Sequence, residues 1–200
     1  MNDTAWNNSG ICDHILNTNF PPLNKSDHFY ALNVCVERIK RDINNVLDLG
    51  CCKAEFSEAF PDINYCGADL SHIIENISKK LRPDNKYIHL NADIDNLSIL
   101  YDFDLIVMNS FLSEMKNPLK TLHSILTYSK KYVIIHRQDI VNHSTRLETY
   151  KTYGGLETVN SLINMEDFNR VVKSNKFHII MTLDSYKNHE TKKTILLSKL

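Results

Sequence analysis

The chain has 200 residues, which suits a single domain of ordinary size with a sizeable buried core. Lys and Arg number 23 and Asp and Glu number 24, so the formal net charge is −1, and this balance gives no electrostatic sign of a nucleic-acid partner. No apolar run approaches the ~20 residues that a membrane helix needs, and the first residues lack the segments of a signal peptide, so no membrane partner is predicted.

The N-terminal segment, residues 1–25, is predicted to be an extension or lid on the domain that follows. It is rich in asparagine and ends in a Phe-Pro-Pro sequence, which favours extended backbone and disfavours helix. After it, Ser26 is the predicted N-cap of a helix over 27–42, where apolar residues recur at helical spacing. We therefore assign residues 26–200 to one domain.

Seven short apolar runs alternate with helical patterns in the rest of the chain. The runs cover residues 45–49, 63–68, 86–90, 103–108, 131–136, 177–184 and 193–199. Between them, helices are predicted to begin at Ser71, after the Asn117-Pro118 pair, and after the cap residue Asn164. Residues 137–164 show neither pattern and are predicted to be a long inserted loop, a kind of segment that is often functional.

The character of the runs predicts the fold class. They are apolar continuously rather than alternately, as strands covered by helices on both faces require. Strand–helix alternation predicts an α/β fold with right-handed crossovers and a doubly wound, mostly parallel seven-stranded sheet. Only a short segment separates the last two runs, so the final strand is predicted to be antiparallel.

Polar residues lie where the predicted strands end. In an open parallel sheet, ligands bind beyond the carboxyl ends of the strands. The residues at those ends are Asp48-Leu49-Gly50, Asp69-Leu70-Ser71, Asp93-Ile94, Asn109-Ser110 and His136-Arg137. The sequence therefore predicts a binding site at this edge.

In these positions the sequence resembles the class I methyltransferases, which use S-adenosylmethionine and have a Rossmann-like fold. "VLDLGC" is similar to the first half of their D-x-G-x-G-x-G signature, with Asp48 and Gly50 in register. Asp69 matches the acid that binds the ribose hydroxyls, and Asp93 and Ile94 match the pair beside the adenine. "FDLIVMNSFLSEM" is similar to their fourth strand, and "YVIIHR" resembles a small bacterial group of methyltransferases.

The resemblance implies S-adenosylmethionine as the cofactor. It also implies a cofactor site formed by Asp48, Gly50, Cys51, Asp69, Leu70, Asp93, Ile94 and Asn109. A nicotinamide-binding fold is the alternative, but its GxGxxG fingerprint is absent and the acid precedes the glycine. An acid in this place suits a cationic sulfonium better than a pyrophosphate.

Two glycine positions of the signature hold other residues, Cys52 and Ala54. Ala54 is expected to begin a helix and needs only to be small. If the loop requires a positive φ at Cys52, strain of about 1–3 kcal/mol follows, and the side chain would narrow the pocket. This residue supports the alternative that the chain is a non-catalytic, methyltransferase-like binding or scaffold domain.

His136 and Arg137 end the fifth predicted strand, and they are the candidate catalytic residues. A histidine has an ordinary pKa near operating pH, so His136 is the predicted general base. Arg137 is predicted to hold an anionic acceptor through a bidentate contact, with an ion pair to Glu114 or Asp139 as the alternative. Residues 137–164 would then be an acceptor-side insertion.

The predicted reaction is methyl transfer to an oxygen of a small-molecule or sugar-like acceptor. Nucleic acid is disfavoured, because the Asp/Asn/Ser-Pro-Pro-aromatic tetrapeptide of exocyclic-amine methylation is absent after the fourth strand. The cysteines are odd in number and include no CxxC pair, which argues against a metal site and a disulfide framework. We therefore predict reduced thiols, no bound metal and a cytoplasmic location.

Overall fold

The computed structural model describes residues 5–8, 10–93, 95–152 and 154–200. The helices are α1 (Gly10–Asn17), α2 (Phe29–Ile39), α3 (Phe56–Ala59), α4 (Ser71–Ile73), α5 (Lys79–Leu81), α6 (Pro118–Tyr128) and α7 (Met165–Ser174). The strands are β1 (Asn45–Leu49), β2 (Asn64–Asp69), β3 (Lys86–His89), β4 (Leu105–Asn109), β5 (Tyr132–Val141), β6 (Arg146–Thr152), β7 (Leu156–Asn164), β8 (Phe177–Tyr186) and β9 (His189–Lys199). A π-helical turn, Ile74–Ser78, joins α4 to α5.

The sheet has the predicted doubly wound, mostly parallel arrangement. Strands β3, β2, β1, β4 and β5 are neighbours in that order, and each adjacent pair is parallel. The last strand, β9, is antiparallel both to β5 and to β8. The registers bring Leu49 opposite Ala68 and Met108, so the carboxyl ends of the central strands meet at one edge.

Successive residues of the central strands are buried on opposite faces of the sheet. In β1, Leu47 packs with the cluster that includes residues of α6 and α7, whereas Val46 packs with the cluster that includes Leu32 and Val36 of α2. Both faces are thus covered by helices. This arrangement explains why the runs are continuously apolar.

The segment 137–164, predicted to be a loop, is largely strand. β5 runs on past the end of β4 to Val141, and β6 and β7 form an antiparallel hairpin whose β7 pairs in parallel with residues 139–141. Over the described residues the sheet therefore has nine strands, two more than predicted. The hairpin was missed because β6 is exposed along almost its whole length, so it carries no apolar run.

The N-terminal segment was predicted to disfavour helix, but it contains α1. Its Ile11 and Ile15 pack against Ile73 and Ile77. A helix this short is marginal in water, so tertiary packing rather than local propensity stabilises it.

Of the predicted helix caps Asn164 and Ser26, the first is confirmed and the second is wrong. Asn164 caps α7, since its side chain accepts hydrogen bonds from the backbone of Glu166 and Asp167. Ser26 does not cap α2, which begins after His28, and its hydroxyl donates to the Leu23 carbonyl instead.

Candidate functional site

A cavity of about 1000 Å³ lies at the carboxyl edge of the sheet. Among its lining residues are the predicted site residues Asp48, Gly50, Cys51, Asp69, Leu70, Asp93, Asn109 and Arg137. Ile94 lies outside the described residues. Of the other predicted residues, His136 does not line the cavity.

The bend after β1 has a backbone typical of glycine at three alternate positions. The φ angles are 78° at Gly50, 43° at Cys52 and 55° at Ala54. Only the first of these residues is a glycine, and left-handed backbone is strained for residues with a Cβ. The expectation that Ala54 begins a helix is wrong, because α3 begins two residues later, at Phe56.

Gly50 is the position of the bend that least tolerates a side chain. A Cβ built on it would lie 2.6 Å from Cδ2 of Phe111, a separation that real Cβ atoms do not show. Cys52 differs, because its side chain packs against the apolar cluster that contains Ile11 and Ile73. The thiol therefore lines the cavity without filling it.

Hydrogen bonds from the neighbouring elements hold the bend in place. The backbone of Gly50 donates to the carbonyl of Ala68 (2.8 Å), and the backbone of Cys52 donates to Oδ2 of Asp69 (2.9 Å). The Ser78 hydroxyl, at the end of the π-helical turn, donates to the Cys52 carbonyl (2.6 Å). Asp69 thus organises the bend as well as lining the cavity.

Asp48 and Asp69 are two acids whose pKa values are raised towards neutral pH by burial. Oδ2 of Asp48 accepts a hydrogen bond from the Tyr65 hydroxyl (3.0 Å), yet burial raises the pKa of Asp48 to about 7. Burial likewise raises the pKa of Asp69 to about 6, against the two backbone hydrogen bonds that it accepts from Cys52 and Leu70. Neither acid forms an ion pair with a Lys or Arg of the described residues.

Arg137 lies at a bulge in β5 and faces the opposite part of the cavity. Its φ is 61°, and the register with β9 shifts between Ile135 and Gln138. Its Nε donates to Oδ1 of Asn109 (2.8 Å) and its Nη1 to the Tyr186 hydroxyl (3.4 Å). The guanidinium therefore has a fixed direction.

The alternative ion pairs of Arg137 are not formed. Asp139 is paired with Lys192 (2.7 Å) and accepts from Thr191. Glu114 is buried in the cavity wall, where it accepts hydrogen bonds from the Trp6 indole and the Thr158 hydroxyl. Within the described ranges, Arg137 has no carboxylate partner.

His136 is 1% exposed and lies behind the cavity wall. Its Nδ1 lies 2.7 Å from Oγ1 of Thr194, and its Nε2 lies 2.9 Å from Nδ1 of His28, which does line the cavity. Burial holds the pKa of His136 well below its usual range. His136 reaches the cavity only through His28, so its catalytic role stays a prediction.

Several cavity residues come from the N-terminal part of the chain, which sequence reasoning did not assign to the site. Trp6, Phe20 and His28 are among them. The one available signal was the aromatic and histidine content just before α2, and nothing local to it indicates which edge of the sheet the segment covers.

In the part of the chain that the structure describes, no helix combines the length and apolarity needed to cross a bilayer. Nor do the described His, Cys, Asp and Glu side chains form a group of three or more placed to hold a metal ion. All five cysteines are free thiols.

Comparison with known proteins gives a family and a fold. A family model described as a methyltransferase domain matches residues 7–181. No curated protein sequence matches the chain.

Solved structures of similar shape include three methyltransferases. An S-adenosylmethionine-dependent methyltransferase from Mesorhizobium loti has a TM-score of 0.67 at 12% identity, covering 88% of this chain and 100% of that one. An amino pentose methyltransferase from Micromonospora echinaspora, with S-adenosylmethionine bound, has a TM-score of 0.66 at 9% identity, with coverages of 92% and 99%. A sugar N-methyltransferase from a Streptoalloteichus species has a TM-score of 0.60 at 11% identity, with coverages of 88% and 87%. At these identities the likeness establishes the Rossmann-like fold alone.

Proposed function

We propose, from the premise that the chain belongs to the family of methyltransferase domains, that this S-adenosylmethionine-dependent enzyme methylates an oxygen of a small, sugar-like acceptor. Membership rests on the match over residues 7–181, most of the chain. The acceptor and the atom methylated are the proposed parts.

The pair of buried acids, Asp48 and Asp69, supports the cofactor part of the proposal. Their pKa values, about 7 and about 6, are raised mainly by burial, and no Lys or Arg of the described residues forms an ion pair with them. A ligand with an ammonium and a sulfonium would supply the missing positive charge, whereas a pyrophosphate would add to the repulsion. The residues at this edge therefore fit S-adenosylmethionine.

Each residue of the cofactor half has a distinct proposed task. Asp69 would accept hydrogen bonds from the ribose diol while it holds the backbone of Cys52. Asp48 would face the cationic end, and Asp93 the adenine side. When bound, the cofactor supplies a methyl group already activated by its positive sulfur, so the protein mainly contributes proximity and alignment.

The lining of the cavity supports a polar acceptor of modest size. The wall carries charges of both signs, from Lys53, Glu55, Glu114 and Arg137, and the aromatic ring of Phe20. Mixed charges next to an aromatic surface suit a polyhydroxylated ring better than a nucleic acid or a lipid chain. Two of the similar structures are methyltransferases of sugars, which points in the same direction.

Arg137 is the proposed anchor for an anionic group of the acceptor. Asn109 and Tyr186 occupy only two of its five N–H donors and bring no negative charge. The remaining donors can bind a carboxylate or a phosphate in the bidentate way that arginine favours.

An amine acceptor is the second candidate, and one observation favours it. The Glu114 carboxylate is 6% exposed in the cavity wall, where it would attract an ammonium group. The amino pentose and sugar N-methyltransferases among the similar structures make this candidate concrete.

Two measurements in sequence test the proposal. Calorimetry first asks whether S-adenosylmethionine binds, with Asp69→Asn as the variant and the exposed, cavity-distant Asp62→Asn as the control. We expect wild type and the control to bind equally, and the Asp69 variant to bind about tenfold more weakly, because it loses a charge-assisted hydrogen bond. Absence of binding and of a thermal shift at millimolar ligand would contradict the cofactor assignment.

The second measurement follows labelled methyl groups into nucleoside diphosphate sugars and simple glycosides, each in a hydroxy and an amino form. Transfer to the hydroxy form alone is the expected result. Transfer confined to the amino forms would show that the acceptor atom is nitrogen and would contradict the proposed oxygen.

A further inference from the structure

A chain of polar side chains crosses the core between the sheet and the cavity wall. It contains His136 of β5, Ser185 of β8 and Thr194 of β9, which are 1%, 2% and 0% exposed, and it ends at His28 in the wall. Polar groups buried this deeply are costly unless they are hydrogen-bonded, and apolar residues would fill the same space without that requirement.

The contacts in this chain are short and continuous. Ser185 Oγ lies 2.8 Å from Thr194 Oγ1, which lies 2.7 Å from Nδ1 of His136. Nε2 of His136 then lies 2.9 Å from Nδ1 of His28. Ser185 also accepts a hydrogen bond from the backbone of Arg137 (3.3 Å), which ties the chain to the bulge.

The neighbouring serine fixes the direction of the hydrogen bonds. The Ser26 hydroxyl has one proton, which it donates to the Leu23 carbonyl at 2.7 Å. Its 3.3 Å contact with Nδ1 of His28 can then only be one in which the serine oxygen accepts, so Nδ1 carries a proton. With this proton on Nδ1 of His28, Nε2 of His136 at 2.9 Å is the acceptor, and His136 then donates from Nδ1 to Thr194.

This direction leaves the lone pair of His28 on Nε2. Among the described residues, Nε2 has no hydrogen-bond partner. It is not one of the buried polar atoms that lack a partner, so it is accessible from outside the core. The ring is held on its other sides by His136, at 5.0 Å between centroids, and by Tyr186 in an edge-on contact at 5.4 Å. The ring of His28 is thus positioned with an unprotonated nitrogen, and His28 is one of the residues of the cavity wall.

We propose that His28 is the general base of the methyl transfer and that His136 is a positioning residue that fixes the tautomer of His28. The inference rests on the proposed function, with a hydroxyl acceptor. The acceptor oxygen forms a bond to the methyl carbon while the carbon–sulfur bond breaks and leaves its electron pair on sulfur. The hydroxyl proton moves to Nε2 of His28, which later releases it to water.

Burial and then the charge of Arg137 lower the pKa of His28 to about 3, so in the free protein the ring is neutral but only weakly basic. An anionic acceptor group bound to Arg137 would offset part of that charge, and His28 would become a stronger base when the acceptor is in place.

The first test needs no acceptor, so it is independent of the proposed function. Nitrogen NMR of histidine-labelled protein with S-adenosylhomocysteine reports which ring nitrogen carries the proton, and His28→Asn assigns the signals. We expect His28 to be protonated on Nδ1 only. In His136→Gln, whose amide oxygen can still accept, this state should persist, and in His136→Leu both tautomers should appear. A proton on Nε2 of wild-type His28 would overturn the proposal.

The second test uses the acceptor found in the transfer assay. We expect His28→Ala to lower kcat about 100-fold, with the KM for both substrates and the affinity for S-adenosylhomocysteine nearly unchanged. Added imidazole should restore part of kcat, and the exposed His178→Ala should behave as wild type. Loss of activity through KM or cofactor affinity, without rescue by imidazole, would indicate a structural role and contradict the proposal.

Discussion

The bend after β1 and the bulge in β5 both hold non-glycine residues in left-handed backbone, but they do so for different reasons. In the bend, the site needs the backbone path at Cys52 and Ala54. The Cys52 side chain packs against an apolar cluster, and Ala54 is buried. At the bulge, the side chain of Arg137 itself enters the cavity. Left-handed strain can therefore accompany a requirement for the backbone path or a requirement for the side chain. Glycine relieves the strain in both cases, but only in the first case does it keep what the site needs.

The largest effect is expected at the bend, where a side chain is added to Gly50. Gly50→Ala combines a left-handed Cβ with a contact of 2.6 Å to Phe111. Strain and overpacking together are expected to lower the free energy of unfolding by about 3 kcal/mol. Denaturant titration measures this loss. A change below about 0.5 kcal/mol, within the range of ordinary surface substitutions, would show that the bend is not constrained as described.

The next effect is expected at the bulge, on activity rather than stability. Arg137→Ala should lower kcat/KM for the acceptor about 100-fold, because charge-assisted hydrogen bonds are worth about 1.5–3 kcal/mol. Cofactor affinity should remain within about twofold of wild type, since the hydrogen bonds of Arg137 among the described residues are to Asn109, Ser185 and Tyr186 and not to the bend. Arg137→Gly, which also relieves the backbone, should be equally inactive. Activity retained by the glycine variant would mean that the bulge serves the backbone after all.

A smaller effect is expected on the pH dependence of stability, because the pKa of Asp48 is raised in the folded protein. Asp48 has a pKa raised to about 7 in the folded protein from 3.8, so the folded state binds the proton more tightly than the unfolded state does. Stability is therefore greatest below the unfolded pKa and is lost as pH rises through about 7. Calorimetric scans should show a lower Tm at about pH 8 than at about pH 5.

The control for this pH effect is a pair of variants. Asp48→Asn should remove part of the decrease, and the exposed Asp62→Asn should leave it unchanged. A decrease identical in all three proteins would assign it to other groups.

The smallest effect tests whether the strain of the bend can be relieved. Cys52→Gly is expected to raise the free energy of unfolding by about 1 kcal/mol, because relief of strain outweighs the greater entropy of glycine in the unfolded chain. Cys52→Ala keeps the Cβ and should give no gain. Equal stabilisation by both variants would locate the cost in the thiol rather than in the backbone.

The comparison also shows what the sequence could and could not predict. Asp48 and Asp69 were found because each lies at the carboxyl end of a buried apolar strand, and parallel pairing brings strand ends together. The left-handed backbone at Ala54 was missed, because alanine is typical of helices and nothing local indicates the extra turn of the bend.

The acceptor side was harder to predict. The hairpin of β6 and β7 has the Gly154-Gly155 turn flanked by Thr, Tyr and Val, which was its available signal, but its exposed strand lacks an apolar pattern. His28 and His136 are 108 positions apart, so their contact depends on the packing of α2 against the sheet rather than on any local motif.

The most direct test of the account is the proton balance of cofactor binding. Calorimetry in two buffers of different ionisation enthalpy, near pH 6.5, measures the protons exchanged when S-adenosylmethionine binds. If Asp48 faces the cationic end of the ligand and Asp69 accepts hydrogen bonds from its ribose, both ionised carboxylates are stabilised. Because their pKa values are about 7 and about 6, binding should release protons and tighten as pH rises. Asp48→Asn should reduce the release. Binding without proton release in wild type, or no binding, would contradict the claim that these two acids form the cofactor site.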